Sequence, residues 1–278
     1  MQALLIGSGG REHALACEGC KTILCFDITK ASGYYSQMAG VLAGFAFAAI
    51  ILLIQSQPLG QPNQQQRANL QKVLISFITA FLGLVITTFL YAVVSGEEVM
   101  APRAMTLGFV SSIAFSIAVL DLFYGVVWLF KAWDMGDIAT TSGRIAGFVL
   151  PLIIYIYMGV TALDMLAVAE GQRVTGTWIF WFTIALGPIL FLIVWALWKR
   201  LKRLVLLVLS SDSAVRGTAY ISLGLISLAA LGTALFSEFD IFFSFPRWVI
   251  ALLMFIIVIF LVIYIFLIRA IQEGGGEE

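Results

Sequence analysis

Seven stretches of the sequence are almost continuously apolar over the length of a membrane-spanning helix. About 20 residues, rising about 1.5 Å each, cross a hydrocarbon core roughly 30 Å thick. Polar or turn-forming segments close the stretches, as in Pro58, Gly60 and Pro62 with the glutamine-rich run that follows. The pattern predicts an all-α integral membrane protein, a bundle of about seven transmembrane helices, over residues 34–54, 73–94, 105–130, 145–168, 177–198, 216–236 and 248–268.

The amino-acid composition favours the same class. The chain has 278 residues, of which 61% are hydrophobic and 12% charged, and its mean hydropathy is +1.02. A soluble domain is about 45–50% apolar and about 25% charged, so a single water-soluble core could not bury this much apolar surface. The net charge of zero gives no reason to expect a nucleic acid as a partner. We expect a tail over 1–33, a membrane domain over 34–270 and a short acidic, glycine-containing tail over 271–278.

Aromatic and basic residues mark the ends of the predicted spans. All seven tryptophans lie near such ends, as expected for side chains at a membrane–water interface. Lys and Arg are concentrated in the connections after the first, third and fifth spans, most densely in KRLKR at 199–203. Because basic loops favour the cytoplasmic side, we expect a multi-pass protein of a bacterial plasma membrane with a cytoplasmic C-terminus and an outward N-terminus.

The KRLKR segment has two interpretations. It precedes the apolar run LVLLVLSSD, so an extension of the fifth helix could lie along the membrane surface. Its cations would then bind anionic lipid headgroups, through Lys199, Arg200, Lys202 and Arg203. The alternative is that the same cations only set the topology of the chain.

The N-terminal tail carries a glycine-rich turn. In MQALLIGSGGREHALA a short apolar strand leads into the turn at 7–10, whose backbone N–H groups could approach a phosphate, and Asp27 has the spacing of a ribose-binding acid. Residues 1–16 resemble the N-terminus of phosphoribosylamine–glycine ligase, a purine-biosynthesis enzyme. The resemblance implies an N-terminal α/β domain followed by an ATP-grasp body. Because the chain becomes apolar from residue 34, we expect the tail to form no independent domain.

The only histidine and all three cysteines of the chain lie in this tail, as His13, Cys17, Cys20 and Cys25. On a helix the first three of these residues share a face, and C-x2-C is a common metal-ligand spacing. A zinc or iron–sulfur site in the tail is therefore one hypothesis. A disulfide is the alternative if the tail lies in an oxidising compartment. For the rest of the chain we expect no cofactor.

Two acidic residues fall inside apolar spans, Asp121 in SIAVLDLFYG and Asp164 in GVTALDMLAV. A charge within the membrane costs at least about 2.5–3.5 kcal/mol, and such residues mark ion and proton pathways. Helical spacing places Asp121 on a small and polar stripe that should face the bundle interior, formed with Ser111, Ala114, Ala118 and Gly125. Both carboxyls are candidates for transport or ion binding. The alternative is that each is satisfied by neighbouring donors and only fixes helix packing.

Small residues and prolines predict features of the helix packing. The spacing Gly40-x-x-x-Gly44-x-x-x-Ala48 should let the first helix approach a neighbour closely. Pro151 and Pro188 should kink the fourth and fifth helices. A homo-oligomer is a further hypothesis about partners.

These features favour a small-solute or cation transporter or channel, with Asp121 as the first residue to test. The alternative is a membrane sensor or scaffold that acts on a partner through KRLKR and the glycine face of the first helix. A third hypothesis is the ligase activity that the resemblance of residues 1–16 implies. The spans carry no lysine for a retinal Schiff base and no histidine to ligate haem, so we expect neither a light-driven rhodopsin nor a bis-histidine haem protein. The chain has no HExxH motif, so we expect no metalloprotease with that signature.

Overall fold

A computed structural model describes residues 27–55, 64–97, 102–133, 135–170, 212–240 and 243–273, with the single positions 189, 193 and 196. The regular elements in these ranges are all helical. They are α1 (Ile28–Gln55), α2 (Gln64–Ser95), α3 (Pro102–Ala132), α4 (Gly136–Arg144), α5 (Leu150–Glu170), α6 (Asp212–Phe236) and α7 (Arg247–Glu273).

Six helical segments within the described ranges are long and apolar enough to cross a membrane. The rod that contains α4 and α5 counts as one of them, because a π-helical turn at Ile145–Val149 joins the two helices without a break. Each segment contains one of the spans predicted from the sequence: 28–55, 67–95, 102–132, 137–168, 215–236 and 247–269. The remaining predicted span, at 177–198, lies outside the described residues.

The third helix is the centre of the bundle. α3 contacts each of the other described helices, and 67% of its apolar window is buried, against 22% for α1 and 17% for α6. Around α3, α1 packs on α2, α2 packs on α6, and α5 packs on α7. Most residues of α3 are therefore surrounded by protein, whereas much of the apolar surface of α1 and α6 faces outward.

The first helix begins at a local cap. Asp27 precedes α1, and its Oδ1 accepts hydrogen bonds from the Lys30 backbone N–H at 3.0 Å and from the Thr29 hydroxyl at 2.7 Å. A carboxylate in this position satisfies a backbone donor that the first turn of a helix otherwise leaves unpaired. The structure thus gives Asp27 a capping role at the start of the first span.

The direction of α6 follows from its contacts with α3. We name the two ends of the bundle the Arg103 face and the Lys131 face, after residues near the start and the end of α3. The Ser222 hydroxyl, in the first half of α6, contacts Asp121, and the Ser237 carbonyl, just beyond the end of α6, accepts a hydrogen bond from Arg103 at 3.2 Å. α6 therefore runs from the Lys131 face to the Arg103 face.

The α5 helix runs in the same direction. The π-helical turn before α5 packs Gly147 against Ile268, near the end of α7. That end lies at the Lys131 face, because the Lys131 ammonium donates a hydrogen bond to the Ile271 carbonyl at 2.8 Å. Ten residues later, Tyr157 is hydrogen-bonded to Ser112 in the Arg103 half of α3. Both α5 and α6 thus lead to the Arg103 face.

Pro151 accounts for the π-helical turn in the fourth span. Proline has no N–H to donate to the carbonyl four residues earlier, and its ring crowds that carbonyl. The preceding residue, Leu150, donates its N–H to the Ile145 carbonyl, which is the wider i to i+5 bond. The widened turn also presents Gly147, where an added Cβ would lie 2.9 Å from Ile268 Cγ2. The sequence predicts a kink at Pro151, and the structure has a π-helical turn directly before this residue. Pro188 lies outside the described residues.

Among the described residues, the glycine stripe of the first helix lies against a neighbour at one position, Gly40, where an added Cβ would lie 3.9 Å from Thr88 Oγ1 of α2. Gly40, Gly44 and Ala48 are exposed, and an added Cβ on Gly44 would meet nothing within 4 Å. The buried face of α1 carries alanines instead, Ala39, Ala43 and Ala46. Both faces of the helix have small residues at helical spacing, so the pattern alone could not identify the buried one.

Candidate functional site

Asp121 lies inside the bundle, on the central helix. It is 5% exposed, and the stripe predicted to face the interior is buried along its whole length: Ser111, Ala114, Ala118 and Gly125. The position counts about 15 Å along the helix from Lys131 at 1.5 Å per residue, well away from either end of α3. The carboxyl group is thus enclosed by protein at membrane depth.

One oxygen of this carboxyl group is paired and the other is not. The Ser222 hydroxyl of α6 donates to Asp121 Oδ1 at 3.1 Å. Oδ2 is buried and has no hydrogen-bond partner among the described residues. A buried polar atom left unpaired costs roughly 1–3 kcal/mol, and more when it is charged. Asp121 Oδ2 therefore lacks a partner, and a bound proton or cation would supply one.

Two tyrosines lie beside the carboxyl group and interact with it electrostatically, Tyr124 of α3 and Tyr264 of α7. Their ring centroids are 6.4 Å apart. The Tyr264 hydroxyl is buried and, like Asp121 Oδ2, has no hydrogen-bond partner within the described part of the chain. We call Asp121, Ser222, Tyr124 and Tyr264 the Asp121 cluster. It joins three helices and contains two unpaired buried oxygens.

Aromatic contacts connect this cluster to the Lys131 face. Tyr124 meets Trp128 edge to face, with ring centroids 6.4 Å apart. The ammonium groups of Lys72 and Lys131 lie 4.6 Å and 5.4 Å from the Trp128 ring. Cations within about 6 Å of an indole face are attracted to it. These basic residues therefore mark the membrane-surface end of a line of aromatic side chains that leads to Asp121.

Asp164 is in a different part of the bundle. It is half-buried on α5, six residues before the end of the helix. Tyr157 of the same helix is level with Ser112 on α3, so the two aspartates are separated by about 20–25 Å of depth at 1.5 Å per residue. The structure does not bring the two candidate carboxyls together.

A second polar cluster lies in the Arg103 half of the bundle. The hydroxyls of Tyr91, Ser112 and Tyr157 form a triangle with oxygen–oxygen distances of 3.0, 3.1 and 3.2 Å. Ser112 also donates to the Gly108 carbonyl at 2.8 Å, and the ring of Tyr35 stacks on Tyr91 at 5.4 Å. This tyrosine–serine triangle connects α2, α3 and α5. No sequence pattern predicts this triangle, because hydroxyls on three separate helices have no common spacing along the chain.

Several residues singled out from the sequence lie outside the described ranges. They are the possible metal ligands His13, Cys17, Cys20 and Cys25, and the basic residues Lys199, Arg200, Lys202 and Arg203. Within the described ranges no group of three or more His, Cys, Asp or Glu side chains is placed to hold a metal ion. The hypotheses on a tail metal site and on lipid binding at KRLKR stay predictions from the sequence.

The geometry therefore provides one enclosed carboxyl group with free acceptor capacity. An ionised carboxylate accepts hydrogen bonds or coordinates a cation, and a protonated one donates to a neighbour. Ser222 and the tyrosine hydroxyls can serve either state, because a hydroxyl both donates and accepts. The Asp121 cluster is thus suited to taking up and releasing a single positive charge.

Comparison of the chain with protein families, with curated proteins and with solved structures finds no match in any of the three.

Proposed function

We propose that the protein transports cations across a membrane, and that Asp121 is the group that binds the transported proton or cation. Six described helices have the length and hydropathy of membrane spans, which is compatible with a multi-pass membrane protein. The observation that carries the proposal is Asp121 Oδ2, a buried carboxylate oxygen on the central helix with no partner among the described residues.

The reasoning is energetic. A carboxylate at membrane depth is retained only where something offsets its desolvation, and inside a bundle that is a cation, a proton or a set of donors. Ser222 supplies one donor, and no described Lys or Arg forms an ion pair with Asp121. The remaining deficit is met if the group binds a positive charge. A group that gains and loses its counter-charge is what an ion pathway requires.

The direct test is ion flux into vesicles that contain the purified protein. The proton is followed with an entrapped pH-sensitive dye and Na⁺ with an entrapped Na⁺ indicator, both under a potassium diffusion potential. We expect Asp121→Asn to lower the flux of the transported ion by about tenfold or more, because the amide keeps the shape but cannot hold a positive charge.

The matched control is Asp137→Asn. Asp137 is exposed in the first turn of α4, so the same chemical change removes a carboxylate that is in contact with solvent. This variant should retain the wild-type rate. Wild-type vesicles that pass neither ion faster than protein-free vesicles would refute the proposal, and so would an Asp121→Asn variant that transports at the wild-type rate.

We further infer that the chain crosses the membrane seven times. α5 and α6 both run from the Lys131 face to the Arg103 face. The 41 residues at 171–211 must therefore connect the end of α5 at the Arg103 face to the start of α6 at the Lys131 face. The apolar window at 177–198 has the length for that crossing.

Cysteine labelling tests this topology. After the three native cysteines are replaced by serine, Glu170→Cys and Asp212→Cys are treated separately in intact cells with a membrane-impermeant maleimide. We expect only Glu170→Cys to be labelled from outside, and Asp212→Cys only after the cells are opened. Labelling of both from the same side would show that residues 171–211 do not cross.

A further inference from the structure

An apolar cleft separates α6 from α7. No Cα of α6 comes within 8 Å of a Cα of α7 in the described ranges, although the two helices are neighbours around α3. The space between them has a volume of about 390 Å³, within the range of roughly 300–1,000 Å³ typical of small-molecule sites. Its walls come from α3, α6 and α7 with Ile154 of α5, and they are apolar, as at Ile117, Ala229 and Ile257, apart from Ser116.

The cleft is closed at one end and open at its side. At the Arg103 face Phe236 and Phe245 meet edge to face with ring centroids 5.0 Å apart, and both line the cleft. Along the side, the lining residues Leu228, Leu231 and Ile256 are exposed on the outer surface of the bundle. An apolar molecule dissolved in a bilayer could therefore enter laterally, without passing through water.

The other end of the cleft reaches the Asp121 cluster. Its last lining residue on α3 is Leu120, adjacent to Asp121. On α6 the last is Leu225, one turn from Ser222, and on α7 it is Leu261, one turn from Tyr264. From Val110 to Leu120 the cleft follows α3 for about 15 Å at 1.5 Å per residue. A chain of that length lying in the cleft would bring its leading group to within about one helical turn, 5.4 Å along the helix axes, of the residues that carry the unpaired oxygens.

We propose that this cleft is the binding site of a lipophilic ammonium cation, a molecule with one hydrocarbon chain and a positively charged head. The chain would occupy the apolar cleft, and the head would bind at Asp121 between Tyr124 and Tyr264. The cluster supplies what an ammonium group binds, a carboxylate and the faces of aromatic rings. The unpaired buried oxygens at this end distinguish a cationic occupant from an ordinary lipid tail. The inference rests on the proposed function, since it uses Asp121 as the cation-binding group, and it adds a class of organic cation to the inorganic ions that this group would bind.

The test is equilibrium binding of radiolabelled n-decyltrimethylammonium to the full chain in lipid nanodiscs, with empty nanodiscs as the blank for partition into lipid. We expect saturable binding that unlabelled n-decyl sulfonate, the matched anion, does not compete for. Asp121→Asn should weaken the binding by about tenfold or more, the usual loss when a charged partner is removed.

Two substitutions on α6 test the position of the chain. Ala229→Trp fills the cleft from its wall and should abolish saturable binding, while Ala234→Trp, on an exposed position that does not line the cleft, should bind as the wild type does. Leu231→Trp, at the exposed rim, is the second cleft variant, because a change at an exposed position leaves the buried core intact. Normal thermal unfolding of each variant confirms that it is folded.

Three results would overturn the inference. The first is that n-decyltrimethylammonium associates with the protein nanodiscs no more than with empty ones. The second is that n-decyl sulfonate competes as well as the unlabelled cation does. The third is that Ala229→Trp and Leu231→Trp both bind the cation as the wild type does. Equal competition would mean that the cleft takes any single hydrocarbon chain, as from a bilayer lipid. The proposed function fails separately: if binding is saturable and cation-selective but the vesicles pass no proton or Na⁺, the inference stands and ion transport does not. If Asp121-dependent flux of protons or Na⁺ occurs without binding of the ammonium cation, ion transport stands and the inference fails.

Discussion

The tyrosine–serine triangle and the Asp121 cluster lie in the same bundle, in the two halves of α3, and both join three helices through side-chain oxygens. In the triangle each hydroxyl has a hydrogen-bond partner, at 3.0 to 3.2 Å. In the Asp121 cluster one contact of 3.1 Å is made, and two buried oxygens have no partner among the described residues. The first group is complete by itself, whereas the second has capacity for one more positive charge or donor.

The difference separates a structural role from a binding role. A satisfied interhelical hydrogen bond contributes about 0.6 to 2 kcal/mol in a membrane, which is enough to fix how helices pack. An unsatisfied buried group contributes nothing of the kind and is retained at a cost of roughly 1–3 kcal/mol. The same residue types, tyrosine and serine, therefore have different expected effects when they are mutated in the two halves of the bundle.

The largest effect on stability should come from Gly83→Val, which disturbs the packing beside the Asp121 cluster. A Cβ on Gly83 of α2 would lie 2.7 Å from Ile226 Cδ1 and 3.0 Å from Ala118 Cβ. Ile226 of α6 and Ala118 of α3 are each about one turn from the Ser222–Asp121 pair, so relieving the clash moves α2 away from both helices beside that pair. We expect a loss of about 1–3 kcal/mol in the free energy of unfolding, measured by denaturant titration in detergent, together with loss of ion flux.

Gly224→Val on α6 is the control for that substitution. An added Cβ at Gly224 meets nothing within 4 Å, so the change in backbone propensity is the same without the clash. It should leave both the free energy of unfolding and the flux close to the wild-type values. If the two glycine variants behave alike, the close contact at Gly83 is not what holds α2 against α3 and α6.

A smaller effect is expected from Tyr91→Phe, which opens the triangle. The substitution removes one hydroxyl and two of the three side-chain contacts, while Ser112 and Tyr157 keep theirs at 3.0 Å. The free energy of unfolding should fall by about 1 kcal/mol in the same titration. Ion flux should change by less than about twofold, because the triangle does not bind the transported ion. A loss of flux as large as that of Asp121→Asn would place the triangle on the ion pathway.

The smallest effect on stability should come from Tyr264→Phe, the same chemical change in the other cluster. The Tyr264 hydroxyl is buried without a partner among the described residues, so removing it sacrifices no hydrogen bond. We expect the free energy of unfolding to stay constant or to rise slightly. Binding of n-decyltrimethylammonium should weaken if this hydroxyl faces the bound head. A loss of stability equal to that of Tyr91→Phe would show that Tyr264 is satisfied and that the contrast between the clusters is wrong.

Hydrophobicity along the chain predicts where the helices are, because a membrane span needs an apolar run of fixed length. Each of the six described spans contains one predicted window, and the helices extend beyond the windows at both ends, except α6, which ends with its window at Phe236. The extra turns hold residues such as Asp27 and Arg103, which bind backbone groups at the bundle ends. Length criteria detect the apolar part of a helix and do not detect its caps.

The candidate site was predictable in part. Helical spacing identified Asp121 and its buried stripe, since a polar residue in an apolar span avoids lipid. Its partners Ser222 and Tyr264 are about 100 and 140 residues away in the chain, and one sequence does not reveal which helices meet. The glycine stripe of α1 has the same limit, because spacing defines a face and does not name the neighbour that the face contacts: among the described residues an added Cβ would meet a neighbour at Gly40 and none at Gly44.

The π-helical turn at Ile145–Val149 determines more than the path of the fourth span. Successive residues of an α-helix are about 100° apart around its axis, so one additional residue in a turn rotates everything beyond it by about that angle. Tyr157 lies beyond that turn, and its hydroxyl reaches Ser112 because of the rotation. Deleting a single residue from the widened turn would restore regular winding and direct the phenol away from its partners. A proline at the start of a helix thus sets the azimuth of a side chain almost two turns further on.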